Sequence, residues 1–249
     1  LSLERVGNGW GEVLITNDDG MGAAGLEALV EAVQALMPSR VTVVAPAEEQ
    51  SQCGHRVTTR EPLVVEQVAE DRYTVRGTPA DCVRVARFGL GLRPDLVLSG
   101  INHGGNLGQD LVISGTVAAA REAAYHGIKA VAFSHYLIRD VALDWARAGK
   151  WAAAVLAELD WVALGGNAYL NVNLPHHPPG ERELPERVWV APARSPLGVS
   201  FARLEPQGAP AVTEFFYTAS YSERPQDVGS DVEACFGGRI AISRVGLLG

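Results

Sequence analysis

The chain reads as an α/β protein: a Rossmann-like, three-layer arrangement around a parallel sheet, followed by a β-rich C-terminal arm. Three observations lead there. Short apolar runs of strand length recur at 13–15, 41–45, 94–100, 130–134 and 169–175, and such runs mark strands covered on both faces. Stretches with helical apolar spacing lie between several of them, at 26–37, 117–126 and 141–159. At the start, strand, helix and strand follow within about 35 residues, the span of a right-handed βαβ unit with a parallel pair.

The first strand, Val13-Leu14-Ile15, stops at Thr16-Asn17-Asp18-Asp19-Gly20. In an open α/β sheet, ligands gather beyond the carboxyl ends of the strands. Two adjacent acids there repel each other unless a positive charge lies between them, and a hard divalent cation takes oxygen ligands. Asn-Asp-Asp-Gly is also good turn chemistry, and on this stretch alone both readings stand. A helix follows to about Met37, with Leu26, Leu29, Val30 and Val33 on one face, and Pro38 closes it. The second strand, Val41–Ala45, ends at Pro46, so the loop Ala47 to Arg56 opens on the same rim as the two acids. It carries Glu48, Glu49, Ser51, Cys53, Gly54 and His55.

Pro62–Val68 and Arg72–Val75 alternate as a hairpin should. Thr78, Pro79 and Asp81 form a helix start, with Asp81 placed to complete a capping box. That assigns the acid a structural role, and the helix is expected to run to about Gly89. The third strand, Pro94 to Gly100, leads into Ile101-Asn102-His103-Gly104-Gly105-Asn106-Leu107-Gly108. Glycines let the backbone approach a ligand closely there. Ser114-Gly115-Thr116 then opens a helix, Val117 to about His126, and offers hydroxyls, free N–H groups and the positive dipole end. Plain N-capping by Ser114 or Thr116 is the competing explanation. Ala130–Ser134 is a fourth strand, Val141 to Leu159 a long helix, and Tyr169–Pro175 a fifth strand.

A proline-rich break at Pro175-His176-His177-Pro178-Pro179-Gly180 divides the chain into residues 1–180, the Rossmann-like catalytic domain, and 181–249, a β-rich extension. Strand patterns at Val188–Val190, Glu214–Tyr221 and Arg239–Ser243 are too thin to own a core. The extension is expected to pack on the main sheet or reach a neighbouring subunit.

The net charge of −8 over 249 residues argues against a nucleic-acid binder, which needs a basic face. A local metal or helix N-terminus can still hold a nucleotide-sized anion. Three scattered cysteines, Cys53, Cys82 and Cys235, suit a reducing compartment and form no zinc or disulfide framework. Leu1 to Gly11 has no signal-peptide core, and Glu158 and Asp160 interrupt the apolar segment Trp151–Leu164, so no membrane span and a cytoplasmic location are expected. The histidines show no metal-ligand spacing. His55 and His103 lie in candidate loops, His126 answers to the helix dipole, and His176-His177 reads as solvated linker.

No GxxxxGKS/T or GxSxG motif is present. An oxygen-rich constellation remains: Asp18 and Asp19, Ser51, Asn102 with Asn106, and Ser114-Gly115-Thr116. Such donors suit Mg²⁺ or Mn²⁺, and a neighbouring anion cradle makes phosphoryl chemistry the economical inference.

The chain resembles the survival protein SurE family of metal-dependent 5′-nucleotidases. The resemblance rests on Thr16–Gly20, Val44-Ala45-Pro46, Gly77–Val83, Ser99–Asn102, Gly104 with Asn106, Ile113–Thr116 and Asn171–Pro175. It implies one divalent ion per subunit on Asp18, Asp19, Ser51 and Asn102, with Asp18 and Asp19 catalytic. It further implies a phosphate site on Asn106, Ser114, Gly115 and Thr116, a nucleoside monophosphate substrate, and a C-terminal β arm exchanged within a homodimer or homotetramer. Ser51 lies in a loosely matching loop. The competing class is a non-catalytic nucleotide-binding regulator on the same fold. A metal-dependent glycosyltransferase would need a base pocket with an aromatic platform, and no such platform is seen.

Overall fold

A computed structural model of the chain describes residues 10–160, 167–178, 180, 184–204 and 213–247. The signal-peptide reading of the N-terminus and the end of the apolar segment at 161–164 lie almost wholly outside these residues. Among the described residues, no helix is long and apolar enough to cross a membrane.

The strands are β1 (Trp10–Thr16), β2 (Pro38–Pro46), β3 (Val65–Ala69), β4 (Arg72–Val75), β5 (Leu96–His103), β6 (Lys129–His135), β7 (Ala168–Leu174), β8 (Arg187–Trp189), β9 (Phe201–Arg203), β10 (Phe215–Tyr217) and β11 (Ile240–Gly246). The helices are α1 (Ala24–Gln34), α2 (Pro79–Arg84, continued by a π-turn to Gly89), α3 (Asp110–Ile113), α4 (Gly115–Tyr125), α5 (Trp145–Glu158) and α6 (Asp231–Phe236). Among the described residues, nine strands form one sheet in the order β3-β4-β2-β1-β5-β6-β7-β11-β8. Its centre, from β4 to β7, is parallel. β3 runs antiparallel to β4, and β11 antiparallel to β7.

The strand period of two explains the three layers. Val13 and Ile15 of β1, Val43 and Ala45 of β2, Leu96 and Leu98 of β5, and Val131 and Phe133 of β6 face one side. There they pack with Leu26 and Leu29 of α1 and Trp151 and Leu156 of α5. The alternate residues Leu14, Val44, Val97 and Ala132 face the other side, against Val83 of α2 and Val117 and Ala120 of α4. Apolar runs without alternation are therefore what this sheet requires.

Several boundaries differ from the sequence expectation. α1 ends at Gln34 because Met37 takes a left-handed φ of 56° and β2 begins at Pro38. α5 starts at Trp145, where Asp144 caps the N–H of Arg147 at 3.0 Å. β5 does not end at Gly100 but runs on to His103, so Asn102 belongs to a strand end. Gly100 allows this: its φ is +130°, and a Cβ there would fall 2.2 Å from the carbonyl oxygen of Phe133. The capping box of α2 is present, and Asp81 also accepts from the N–H and the hydroxyl of Thr58, both at 2.8 Å. His176 is not solvated linker. It is 4% exposed, with Nδ1 accepting the N–H of Ile138 at 2.7 Å.

After residue 184 the chain adds to the main sheet through β11 and β8, while β9 and β10 form a separate two-stranded hairpin. Helix α6, which the sequence reading lacked, is capped by Ser230 and packs Val232, Ala234 and Cys235 beside Leu107 and Tyr136.

Candidate functional site

The end of β1 is shaped by its own turn chemistry. Asn17 donates its amide to the carbonyl of Gly20 at 2.8 Å, and Gly20 takes a φ of +94°. The turn reading is therefore right as far as Asn17 goes. Asp18 turns inward and is only 6% exposed. Its Oδ1 accepts a hydrogen bond from the hydroxyl of Thr116, and the backbone N–H of Thr116 also bonds this carboxylate. Asp18 is thus itself an anion at the N-terminus of the 11-residue helix α4. Gly115 makes the approach possible, since a Cβ there would lie 2.9 Å from Cβ of Asp18 and 3.0 Å from Sγ of Cys53.

Burial, with a smaller push from Asp19 and against the hydrogen bonds from Thr116, raises the Asp18 pKa to about 6. Asp19 accepts the backbone N–H of His103 at 3.0 Å on Oδ2. Its pKa is also raised, mainly by burial and further by Glu49, although the N–H and charge of His103 act the other way. Among the described residues no arginine or lysine forms an ion pair with either carboxylate. Two partly desolvated acids with no arginine or lysine partner among the described residues fit a site built to receive a metal ion.

The rest of the donor set agrees. Asn102 donates its amide nitrogen to Gly104 O at 2.8 Å, leaving its amide oxygen as the spare acceptor. It precedes His103, whose N–H holds Asp19. The loop after β2 is tied in by Gln50, whose N–H donates to the carbonyl of Asp18 at 2.8 Å. Ser51 follows directly, but its side chain is exposed and its hydroxyl donates to Glu49. Among the described residues no group of three or more His, Cys, Asp or Glu could hold a metal. The available set is two carboxylates with neutral oxygens, which suits a hard cation such as Mg²⁺ or Mn²⁺ rather than zinc.

The expected phosphate residues are brought to the same rim with distinct tasks. Ser114 caps α4, accepting the N–H of Val117 at 3.1 Å, so the plain capping explanation holds for its hydroxyl. The hydroxyl and N–H of Thr116 serve Asp18. Asn106 is 7% exposed, and its amide donates to Ser134 Oγ at 2.7 Å.

Several residues that shape the site carried no assignment from the sequence. Asn173 Oδ1 accepts the N–H of Asn106 at 2.8 Å, and the amides of Asn171 and Asn173 donate to its carbonyl at 2.8 and 3.0 Å. Two asparagines with alternate spacing in the fully buried β7 were the available signal. From the C-terminal segment, Arg224 donates to Asp110 Oδ2 at 2.6 Å and to Leu107 O at 2.9 Å. Tyr221 donates to Asp110 at 2.7 Å, and Asp231 accepts the N–H of Gly108 at 2.9 Å. The loop between Asn102 and Asp110 is therefore clamped from a distant part of the chain.

His55 reaches away from the acids. Its Nε2 lies 2.7 Å from Oε2 of Glu122 on α4. Glu122 is 2% exposed, and its Oε1 also accepts from Arg84 at 2.6 Å and lies 2.8 Å from His126 Nε2. Burial works against the ionised form, but bonds from His55, Arg84 and His126 outweigh it and hold the Glu122 pKa down at about 2.

Residues 13–193 match the family model described as Survival protein SurE. The chain belongs to the SurE family. Its similarity to a putative 5′-nucleotidase of Nostoc sp. is 45% identity over 233 residues, covering 94% of this chain and 98% of that protein. The 5′-nucleotidase SurE of Geotalea daltonii is 37% identical over 234 residues, covering 93% and 91%. The crystal structure of the SurE protein from Aquifex aeolicus aligns with a TM-score of 0.81 at 33% identity, covering 95% of this chain and 93% of that one. In SurE-family terms, the model match includes the acid doublet, the Asn-Gly loop and the start of α4, and it ends before the β9–β10 hairpin.

Proposed function

We propose that this chain is a divalent-metal-dependent phosphomonoesterase that hydrolyses nucleoside 5′-monophosphates to nucleoside and phosphate. The observation that carries the reading is the pair Asp18 and Asp19 at the end of β1, with Asp18 held by Thr116 at the head of α4 and Asp19 by the N–H of His103. The names of the Nostoc and Geotalea relatives, both 5′-nucleotidases, support it.

Asp18, Asp19, Ser51 and Asn102 would hold the ion, with Ser51 turning from Glu49 to do so. When bound, a Mg²⁺ or Mn²⁺ ion supplies Lewis-acid polarisation of the phosphate and activation of water. Thr116 fixes the Asp18 carboxylate. Asp19 is tied through Oδ2 by the His103 N–H, which leaves Oδ1 to accept a proton from the attacking water. The N–H of Gly115 at the head of α4 binds a phosphate oxygen, with Ser114 capping the helix there and Asn106 fixed by Ser134, Asn171 and Asn173. Phosphoryl transfer asks mainly for positioning and charge stabilisation, and these groups sit on strand and helix ends rather than on a loose surface.

Residues 1–180 are read as the catalytic part and 181–249 as an oligomerisation arm, giving a cytoplasmic homodimer or homotetramer. Phe215 and Phe216 on β10 are 61% and 63% exposed, which supports an interface role for that hairpin.

The test is phosphate release across nucleoside monophosphates, with EDTA and with added Mg²⁺ or Mn²⁺. Release that needs metal and favours 5′-esters is expected. AMP or GMP binding without release under any metal would replace the enzyme reading by a regulatory one.

A further inference from the structure

A groove of about 730 Å³ opens at the carboxyl ends of β2 and β4. Its inner wall is the loop after β2, through Glu48 and Gln50. The same loop touches the site. The N–H of Gln50 bonds Asp18 O at 2.8 Å, and the carbonyl carbon of Glu48 lies 3.4 Å from the position of a Gly20 Cβ. The groove thus shares a wall with the reacting centre, on the sheet edge where α/β ligands gather. Its size falls within the range of small-molecule sites.

The charge of the lining narrows the occupant. Arg56, Arg60 and Arg76 are balanced by Glu48, Glu61 and Glu66, with threonine hydroxyls between them. A second phosphate would gain little from such a formally neutral surface. A neutral group rich in donors and acceptors matches it. The floor is built in advance: Thr58 is bonded twice to Asp81 at 2.8 Å, and Thr78 donates to the carbonyl of Arg56 at 2.6 Å. Arg56 donates to Gln50 at 3.2 Å. Among the described residues, the guanidinium groups of Arg60 and Arg76 have no hydrogen bond or ion pair, so their donors are available.

We infer that this groove is the leaving-group subsite, taking the ribose and base of the substrate, with Arg60 and Arg76 as the specificity-determining donors. This rests on the nucleotidase reading above.

The experiment compares wild type with Arg60→Ala, Arg76→Ala and the double variant, using AMP and phenyl phosphate, which lacks ribose and base. Both residues are exposed, and thermal unfolding checks that the variants fold. The ratio of kcat/KM for AMP to kcat/KM for phenyl phosphate is expected to fall roughly tenfold or more in the double variant, mostly through KM. An unchanged ratio overturns the assignment. Adenosine binding by calorimetry reads the groove without chemistry. Binding to wild type that weakens in the double variant supports the subsite, and equal or absent binding in both overturns it. Wild type that binds adenosine but releases no phosphate from AMP would remove the enzyme reading and leave the groove assignment standing.

Discussion

The hydroxyl of Thr116 donates to Oδ1 of Asp18 across 98 residues of sequence, so the end of β1 and the head of α4 form one unit. The acid is held before any ligand arrives. Thr116→Val removes that hold while keeping the side-chain shape. Metal-dependent activity is expected to fall on the order of 10–100-fold, as for other residues that orient a ligand. Thr116→Ser should recover most of it. Titrating Mn²⁺ against rate for the three proteins measures the effect, and equal metal affinity in all three contradicts it.

Replacing Asp19 by Asn should abolish metal-dependent phosphate release and leave the circular dichroism spectrum unchanged. Full activity of Asp19→Asn at saturating metal would show that the carboxylate has no part in the reaction.

Asp18 also carries a stability cost with a definite sign. Its folded pKa, about 6, lies above the 3.8 of an unperturbed aspartate. The folded state therefore keeps the proton longer than the unfolded chain, and stability is lost as pH rises from about 4 to about 6. His135 acts oppositely: burial depresses its pKa from 6.5 to about 4, so its contribution is lost as pH falls through that range. The two trends partly cancel in the wild type. In EDTA, Asp18→Asn should match wild type near pH 4 and be more stable near pH 7 by up to about 3 kcal/mol. Urea denaturation across the range reads the difference, and a difference flat in pH removes the assignment.

The Glu122 network predicts both a stability effect and a local one. Glu122→Gln should cost about 2 kcal/mol at pH 7, since hydrogen bonds to a charged buried acceptor are lost. The Glu122 pKa is lowered to about 2. Its contribution is therefore fully present above about pH 4.5 and disappears as pH falls towards 2. Because His55 loses its charged acceptor, amide exchange across residues 50–56 should quicken while that of β6 does not. Uniform quickening across both would point to global destabilisation instead.

Local patterns carried much of the fold and the heart of the site. The apolar runs needed only the pleat of the sheet, and the doublet of Asp18 and Asp19 needed only a strand that stops. Contacts joining distant stretches were not legible. Asn171 and Asn173 meet Asn106 across 65 and 67 residues, and nothing local in β7 says which loop they hold. Arg224 and Asp110 are 114 apart. His176-His177 looked solvated because prolines surround it, yet His176 is buried against the loop before α5. The six residues of α6 are too few for periodicity to register.

The clamp on the Asn-Gly loop has a consequence for biosynthesis. Tyr221, Arg224 and Asp231 hold a segment translated more than a hundred residues earlier, and β11 closes the flank of β7 later still. A ribosome-bound chain that has completed β1 to β7 still lacks the struts of the loop between Asn102 and Asp110. The loop beside the acid pair is therefore fixed only once residues 221–231 have been made.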